Sequence, residues 1–287
     1  MRWQEGHRSP DVIDARGPGG GGGGGFGGMR LGIGGLVVVG ILSVVFRTNL
    51  FPLFSGGGTT PARQAPAAQG PQRTGNAEED RQVHFVSFVL DDVQANWTRI
   101  MPSLGRPYER ARLVIFTEAI RTGCGAADSA IGPFYCPADQ RVYIDLGFFR
   151  ELRARFGAPG DFAQAYVLAH EVGHHAQHLL GIEARARAAQ SRDPARENDL
   201  SVRMELQADC FAGVWAHSTQ QRNLLEAGDL EEGLAAAAAV GDDRIQRSAG
   251  QRVRPESWTH GSAAQRASWF RRGWTSGDPN QCDTFGG

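Results

Sequence analysis

The stretch His170-Glu171-Val172-Gly173-His174 decides how this chain is read, together with Glu205-Leu206-Gln207-Ala208-Asp209 a short way downstream. On a helix, side chains four residues apart lie one turn apart on the same face, so His170 and His174 can bind one cation. Glu171 sits beside them, poorly placed to complete the ligand set and well placed to take a proton from the attacking water. It is the candidate general base.

The motif falls inside a predicted helix over 162–180. Asp161 with Gln164 reads as a capping box, and Gly181 after Leu179-Leu180 reads as a helix stop. Phe162, Ala165, Ala169, Val172, Ala176 and Leu179 recur at three- and four-residue steps, forming an apolar stripe that turns the histidine pair inward. His175 and His178 on the same helix read as structural rather than ligating.

Val202, Met204, Leu206, Phe211, Val214 and Trp215, after a cap at Asn198 or Asp199, predict a second amphipathic helix. It carries Glu205 and Asp209 one turn apart. Two histidines and one carboxylate form the ligand set of catalytic zinc sites that keep a fourth position open. Glu205 is therefore the expected third ligand. Asp209 is the expected acceptor for the outer N–H of a ligating histidine, fixing its tautomer. Cys210 points about 100° away around the helix and is rejected as a ligand.

Composition narrows the function classes. A length of 287 residues with 41% apolar content supports a real core, and the net charge of −1 gives a polyanionic partner such as nucleic acid nothing to hold. All 30 basic residues are arginine, which excludes lysine nucleophiles and Schiff bases.

The N-terminal part reads differently from the rest. Residues 1–30, with the glycine run Gly19–Gly25, are expected to be a disordered leader. The charge-free run Leu31–Phe46 (LGIGGLVVVGILSVVF) within 31–50 predicts one transmembrane helix, of an orientation that flanking arginines leave open. Residues 51–80, poor in large apolar side chains and rich in Gly, Pro, Ala and Gln, are the expected tether. The folded unit is then 81–287.

Within that unit, helical spacing predicts a helix near 82–100, further helices at 229–247 and 262–274, and two strands at 112–117 and 141–146. The fold class is α+β, mostly helical, with a small sheet. The second strand is a candidate exposed edge for an extended peptide, or an ordinary interior strand. His260, in the turn before the last helix, is a candidate donor to an oxyanion. Cys124 and Cys136 flank a Gly- and Pro-containing loop that a disulfide could close, and a Cys210–Cys282 bond would staple the tail to the helix of Glu205. Both bonds would place the domain in an oxidising compartment outside the cytoplasm.

HEVGHH, MELQADCFAGVW, TGCG, GPFYCPADQRVYIDL and THGSAAQRASWF, in that set and over essentially the whole chain, resemble the bacterial neutral zinc metallopeptidase family. The resemblance implies a zincin-like metallopeptidase domain on a single-pass anchor in the bacterial inner membrane, with zinc as cofactor and a peptide or protein as substrate. It leaves the oligomeric state open. In related membrane peptidases a late His-Pro segment, with an Arg six residues after the His, helps form the active site. His260 and Arg266 have that spacing, with Gly261 in place of the proline. The Asn-Ala substrate clamp of the thermolysin-like strand is absent, and Gly132-Pro133-Phe134-Tyr135 stands near the corresponding place. Two other expectations compete with a peptidase: a noncatalytic zinc-stabilised binding module, and a zinc hydrolase of a non-peptide envelope amide.

Overall fold

The computed structural model describes residues 1–16, 77–156 and 160–286. Strand β1 (Val12–Asp14) is followed by helix α1 (Ala77–Ile100), then strands β2 (Arg112–Phe116), β3 (Ala119–Thr122), β4 (Gly125–Asp128), β5 (Phe134–Cys136) and β6 (Arg141–Asp145). The rest is helical: α2 (Gly147–Phe156), α3 (Asp161–Leu179), α4 (Ile182–Arg192), α5 (Glu197–Gln221), α6 (Asp229–Ala239), α7 (Asp242–Ser248) and α8 (Ala263–Ser276). The fold is thus mostly helical α+β with small sheets.

The four-stranded sheet runs β1-β2-β6-β5, and β3 and β4 form a separate antiparallel pair. β1 lies parallel to β2 in the register Val12↔Leu113, Ile13↔Val114, Asp14↔Ile115. β2 and β6 are parallel, whereas β5 runs antiparallel to β6. The second expected strand, 141–146, is therefore interior, and the edge nearer the helices in sequence is β5. The reason is local: Phe134–Cys136 is too short to show an alternation of its own, yet it covers the side of β6 left free by β2.

The expected order of leader, single membrane span and domain is overturned. Val12–Asp14 is an integral strand of the domain sheet, and Met1 and Val12 belong to the same buried cluster as Val89, Trp97, Leu113 and Val172. A chain crossing a bilayer once between residues 16 and 77 would put β1 and β2 on opposite sides. Moreover, Arg16 pairs with Asp14 at 2.7 Å and with Glu79 in the first turn of α1 at 3.1 Å, which fixes the two flanks of the intervening segment beside each other. No described helix is long and apolar enough to cross a membrane. The proposed span at 31–50, with the rest of the leader from 17 and the tether through 76, lies outside the described residues.

Other boundaries move for identifiable reasons. The expected capping box at Asp161 is not formed: Gly160 is the cap of α3 and makes no side-chain bond, while the Asp161 carboxylate accepts from the Met1 ammonium at 2.6 Å. The expected helix at 229–247 is two helices, α6 and α7, divided at Gly241. A Cβ there would stand 2.3 Å from the Ala263 nitrogen, so the chain turns where α8 begins and only glycine allows the approach. At Ser262 the capping box with Gln265 is complete.

Helices α3 and α5 carry the candidate site, and they meet at a glycine. A Cβ on Gly173 would lie 3.1 Å from the Ala208 carbonyl oxygen and 3.3 Å from its Cα. The glycine of the motif thus lets the two backbones approach within reach of short side chains. Around them Trp97 packs edge-on to Phe211 and Phe162 stacks on Trp215, fixing both helices against the core.

Candidate metal centre

His170 and His174 face the same carboxylate. His170 Nε2 lies 3.2 Å from Glu205 Oε2 and His174 Nε2 lies 3.4 Å from Glu205 Oε1. One donor atom from each of the three residues falls within 4.8 Å of the others. Two imidazoles and a carboxylate so gathered fit a zinc ion that retains an open position. Glu171 is only 8% exposed, on the same turn.

Asp209 is fully buried and sits behind His170, with Oδ1 2.9 Å from His170 Nδ1. Nδ1–H donates to the carboxylate, which leaves Nε2, on the side of Glu205, as the nitrogen for a metal. Arg266, 3% exposed, grips the same carboxylate from α8 through Nε at 2.8 Å and Nη2 at 2.9 Å. The Tyr166 hydroxyl, one turn before His170, donates to Asp209 Oδ1 at 2.5 Å. The buried charge of Arg266 therefore has a full partner, and Asp209 is held by three neighbours.

These groups set the protonation of the site. Burial by itself would lower the pKa of His170, but Asp209 and Glu205 outweigh it and raise it to about 10, so that without a metal Nε2 carries a proton that a bound cation would replace. Burial would raise the pKa of Glu205, and the neighbouring His174 and His170 instead hold it well below the usual carboxylate range. Burial likewise opposes ionisation of Asp209, and Arg266 and His170 overcome that and keep it a carboxylate.

His260 stands beside Glu205 on the wall of a cavity of about 200 Å³ that Met204, Thr259 and Ser201 also line. Its ring Nδ1 lies 3.2 Å from Asp242 Oδ1. Asp242 Oδ2 in turn accepts from the backbone N–H groups of Thr259, His260 and Gly261, at 2.9, 2.7 and 3.0 Å. Gly261, with φ +86, supplies the left-handed turn that this wrapping needs. The structure brings His170, Glu171, His174, Glu205, Asp209, His260 and Arg266 to one locality. Sequence reasoning did not single out Tyr166 or Asp242. Tyr166 has a signal, the four-residue step to His170; Asp242 has none, because its partner is 18 residues away in another turn.

His175 and His178 turn elsewhere. His175 Nε2 lies 2.7 Å from the Glu109 carbonyl and Nδ1 lies 3.0 Å from the Tyr135 hydroxyl, tying α3 to β5, and His178 pairs with Glu183 at 2.8 Å. Cys210 is bonded to Cys282 and Cys124 to Cys136. The other metal-like group among the described residues, Asp161, Asp229 and Glu232, already has a cation: the Met1 ammonium lies 2.6 Å from Asp161 and 3.3 Å from Asp229.

A helical pair presenting two imidazoles and a carboxylate, with a second carboxylate on the same turn, is the class of site that binds a divalent metal and leaves one position for chemistry. The chain belongs to the family described as "Putative neutral zinc metallopeptidase", whose profile matches residues 1–285, and zinc is accordingly its cofactor. It is 48% identical over 291 residues to "Uncharacterized protein YpfJ" of Escherichia coli (strain K12), covering 100% of this chain and 99% of that one. An uncharacterized protein of Mycobacterium tuberculosis (strain ATCC 25618 / H37Rv) is 48% identical over 206 residues, 68% of each chain. No solved structure matches.

Proposed function

We propose that this protein is a zinc-dependent endopeptidase in which His170, His174 and Glu205 hold the metal and Glu171 is the general base. The observation that carries this reading is the meeting of three donor atoms within 4.8 Å on two helices, beside a buried carboxylate that none of them requires as a ligand. A purely structural site needs no such base, which is why catalysis is preferred to a noncatalytic binding module.

Zinc at this point supplies Lewis acidity, polarising a scissile carbonyl and bringing the pKa of water toward neutrality. Glu171 takes the proton of the attacking water and returns it to the leaving amine. His260, held on its Nδ1 side by Asp242, presents Nε2 to the oxyanion as the carbonyl becomes tetrahedral. Burial lowers the pKa of its ring, while the Asp242 hydrogen bond and Glu205 raise it further, favouring the donating imidazolium. Asp209 keeps His170 in the ligating tautomer, and Arg266 keeps Asp209 ionised and in place.

An extended substrate has a backbone partner in β5, which among the described residues pairs with β6 on one side only. β5 is bound to the metal helix through Tyr135 and His175, so a peptide added there would lie beside the helix of the ligands. Pairing of this kind reads backbone and supports a protein substrate of modest sequence preference. Two disulfides support a working place outside the cytoplasm.

The test uses the full chain with an unfolded protein substrate. Glu171→Gln is expected to lower cleavage by roughly 10²–10⁴-fold while zinc stays bound at one per chain. Full zinc occupancy in the wild type without turnover of any peptide in a broad library would defeat the peptidase reading.

A further inference from the structure

Behind His174 lies a hydrogen-bonded path that the chemistry above does not use. His174 Nδ1 is 2.8 Å from Gln177 Oε1. The Gln177 amide nitrogen donates to the Met204 carbonyl at 2.8 Å and to Gln207 Oε1 at 3.0 Å. Gln207 Nε2 then donates to the Cys282 carbonyl at 2.9 Å. Gln177 is fully buried and Gln207 is 4% exposed, so solvent does not substitute for either amide.

We infer that Gln177 is a positioning residue for the metal site, and that Gln207 and the disulfide-held tail fix its orientation. The direction of every bond follows from its far end. The carbonyls of Met204 and Cys282 can only accept, so the nitrogen of each glutamine must face them. That leaves Gln177 Oε1 toward the histidine, and an oxygen there requires the hydrogen of His174 to be on Nδ1. Nε2, 3.4 Å from Glu205 Oε1, is then the nitrogen left for a metal, the arrangement a metal ligand needs. His170 receives the same instruction from Asp209; His174 receives it from a neutral amide.

Gln177 also spans the two helices that supply the ligands. It lies three residues after His174 on α3 and binds the carbonyl of the residue before Glu205 on α5. The tail that closes the path is secured to α5 by Cys210–Cys282 and by Arg203 and Thr284, which exchange bonds of 2.8 and 2.7 Å. The end of the chain thereby becomes part of the support of the metal centre.

This inference rests on zinc being held by His170, His174 and Glu205, and it is tested by metal binding rather than by cleavage, so an inactive protein still decides it. Zinc affinity of the full chain is measured by competition with a chromogenic chelator for wild type, Gln177→Leu and Gln207→Leu. The His174 tautomer is read from long-range proton–nitrogen NMR correlations of the zinc-loaded protein. Gln177→Leu is expected to weaken zinc binding about 10–100-fold, as loss of an outer partner of a ligating histidine does elsewhere, and to weaken the Nδ1–H signature of His174. Gln207→Leu is expected to weaken zinc binding severalfold, less than Gln177→Leu. Wild-type zinc affinity in a folded Gln177→Leu protein would overturn the inference. Should that variant fail to fold, wild-type affinity in Gln207→Leu would overturn it instead.

Discussion

At the scale of single residues, the site is governed by one buried carboxylate. Asp209 accepts from His170, Tyr166 and the Nε and Nη2 groups of Arg266, all buried. A buried pair of this kind contributes little net stability when intact, yet breaking it strands a charge. Asp209→Asn is therefore expected to cost about 3–5 kcal/mol of folding stability, because Arg266 keeps its charge and loses its closer partner, leaving only Glu205 at 3.6 Å. Arg266→Met in the same background should restore part of that loss by removing the stranded charge. Chemical denaturation of the single and double variants checks this; a double variant no more stable than Asp209→Asn would refute the account. How much of the site could be read beforehand follows from geometry along the chain. His170, Glu171, His174, Glu205 and Asp209 announce themselves because helical spacing alone aligns them. Asp242 and the Gln177–Gln207 pair are invisible at that level, since each acts across elements whose meeting no local spacing encodes.

At the scale of elements, what matters is how closely backbones approach and what locks them. Gly273 on α8 would place a Cβ 1.9 Å from the Cys210 carbonyl oxygen, so α8 lies directly against α5 and delivers Arg266 to Asp209. The long periodic helices α1, α3, α5 and α8 are readable from their apolar stripes. β1 and β5, three residues each, are too short to show an alternation and exist only because neighbouring strands offer an edge. One inter-element lock responds to pH. Burial lowers the pKa of His175 from 6.5 to about 4, outweighing its bond to the Glu109 carbonyl, which favours the proton, and His178 lowers it further. In the unfolded chain the ring takes up its proton first as pH falls, so the stabilisation present above pH 6.5 is lost progressively down to about pH 4. The full difference is on the order of 3 kcal/mol. Urea unfolding at pH 7 and pH 4.5 should show His175→Gln losing less stability on acidification than wild type. Equal losses in the two proteins would assign the acid sensitivity to other groups.

At the scale of the whole molecule, residues near both ends of the sequence close the fold around helices α3 and α5. The C-terminal tail is bonded through Cys282 to α5. The N-terminal segment adds a strand to β2, packs Trp3 edge-on to Phe85, and sets His7 and Ser9 on Asp91 of α1 at 2.8 and 2.9 Å. Its Met1 ammonium reaches Asp161, the first residue of the metal helix, so this segment touches both the sheet and the start of α3. Composition hides this role: residues 1–16 are polar and precede a glycine run, and the apolar surface they cover belongs to residues far along the chain. A chain beginning at residue 77 would uncover the β2 edge and forfeit the burial of Met1 and Val12, each about 1.5–3 kcal/mol. The expected result is a loss of roughly 3–6 kcal/mol, together with self-association through the uncovered strand. Denaturation midpoints and light scattering of the full and shortened chains measure both effects. A shortened chain that stays monomeric and unfolds at the same denaturant concentration as the full one would mean that residues 1–16 rest on the domain without supporting it.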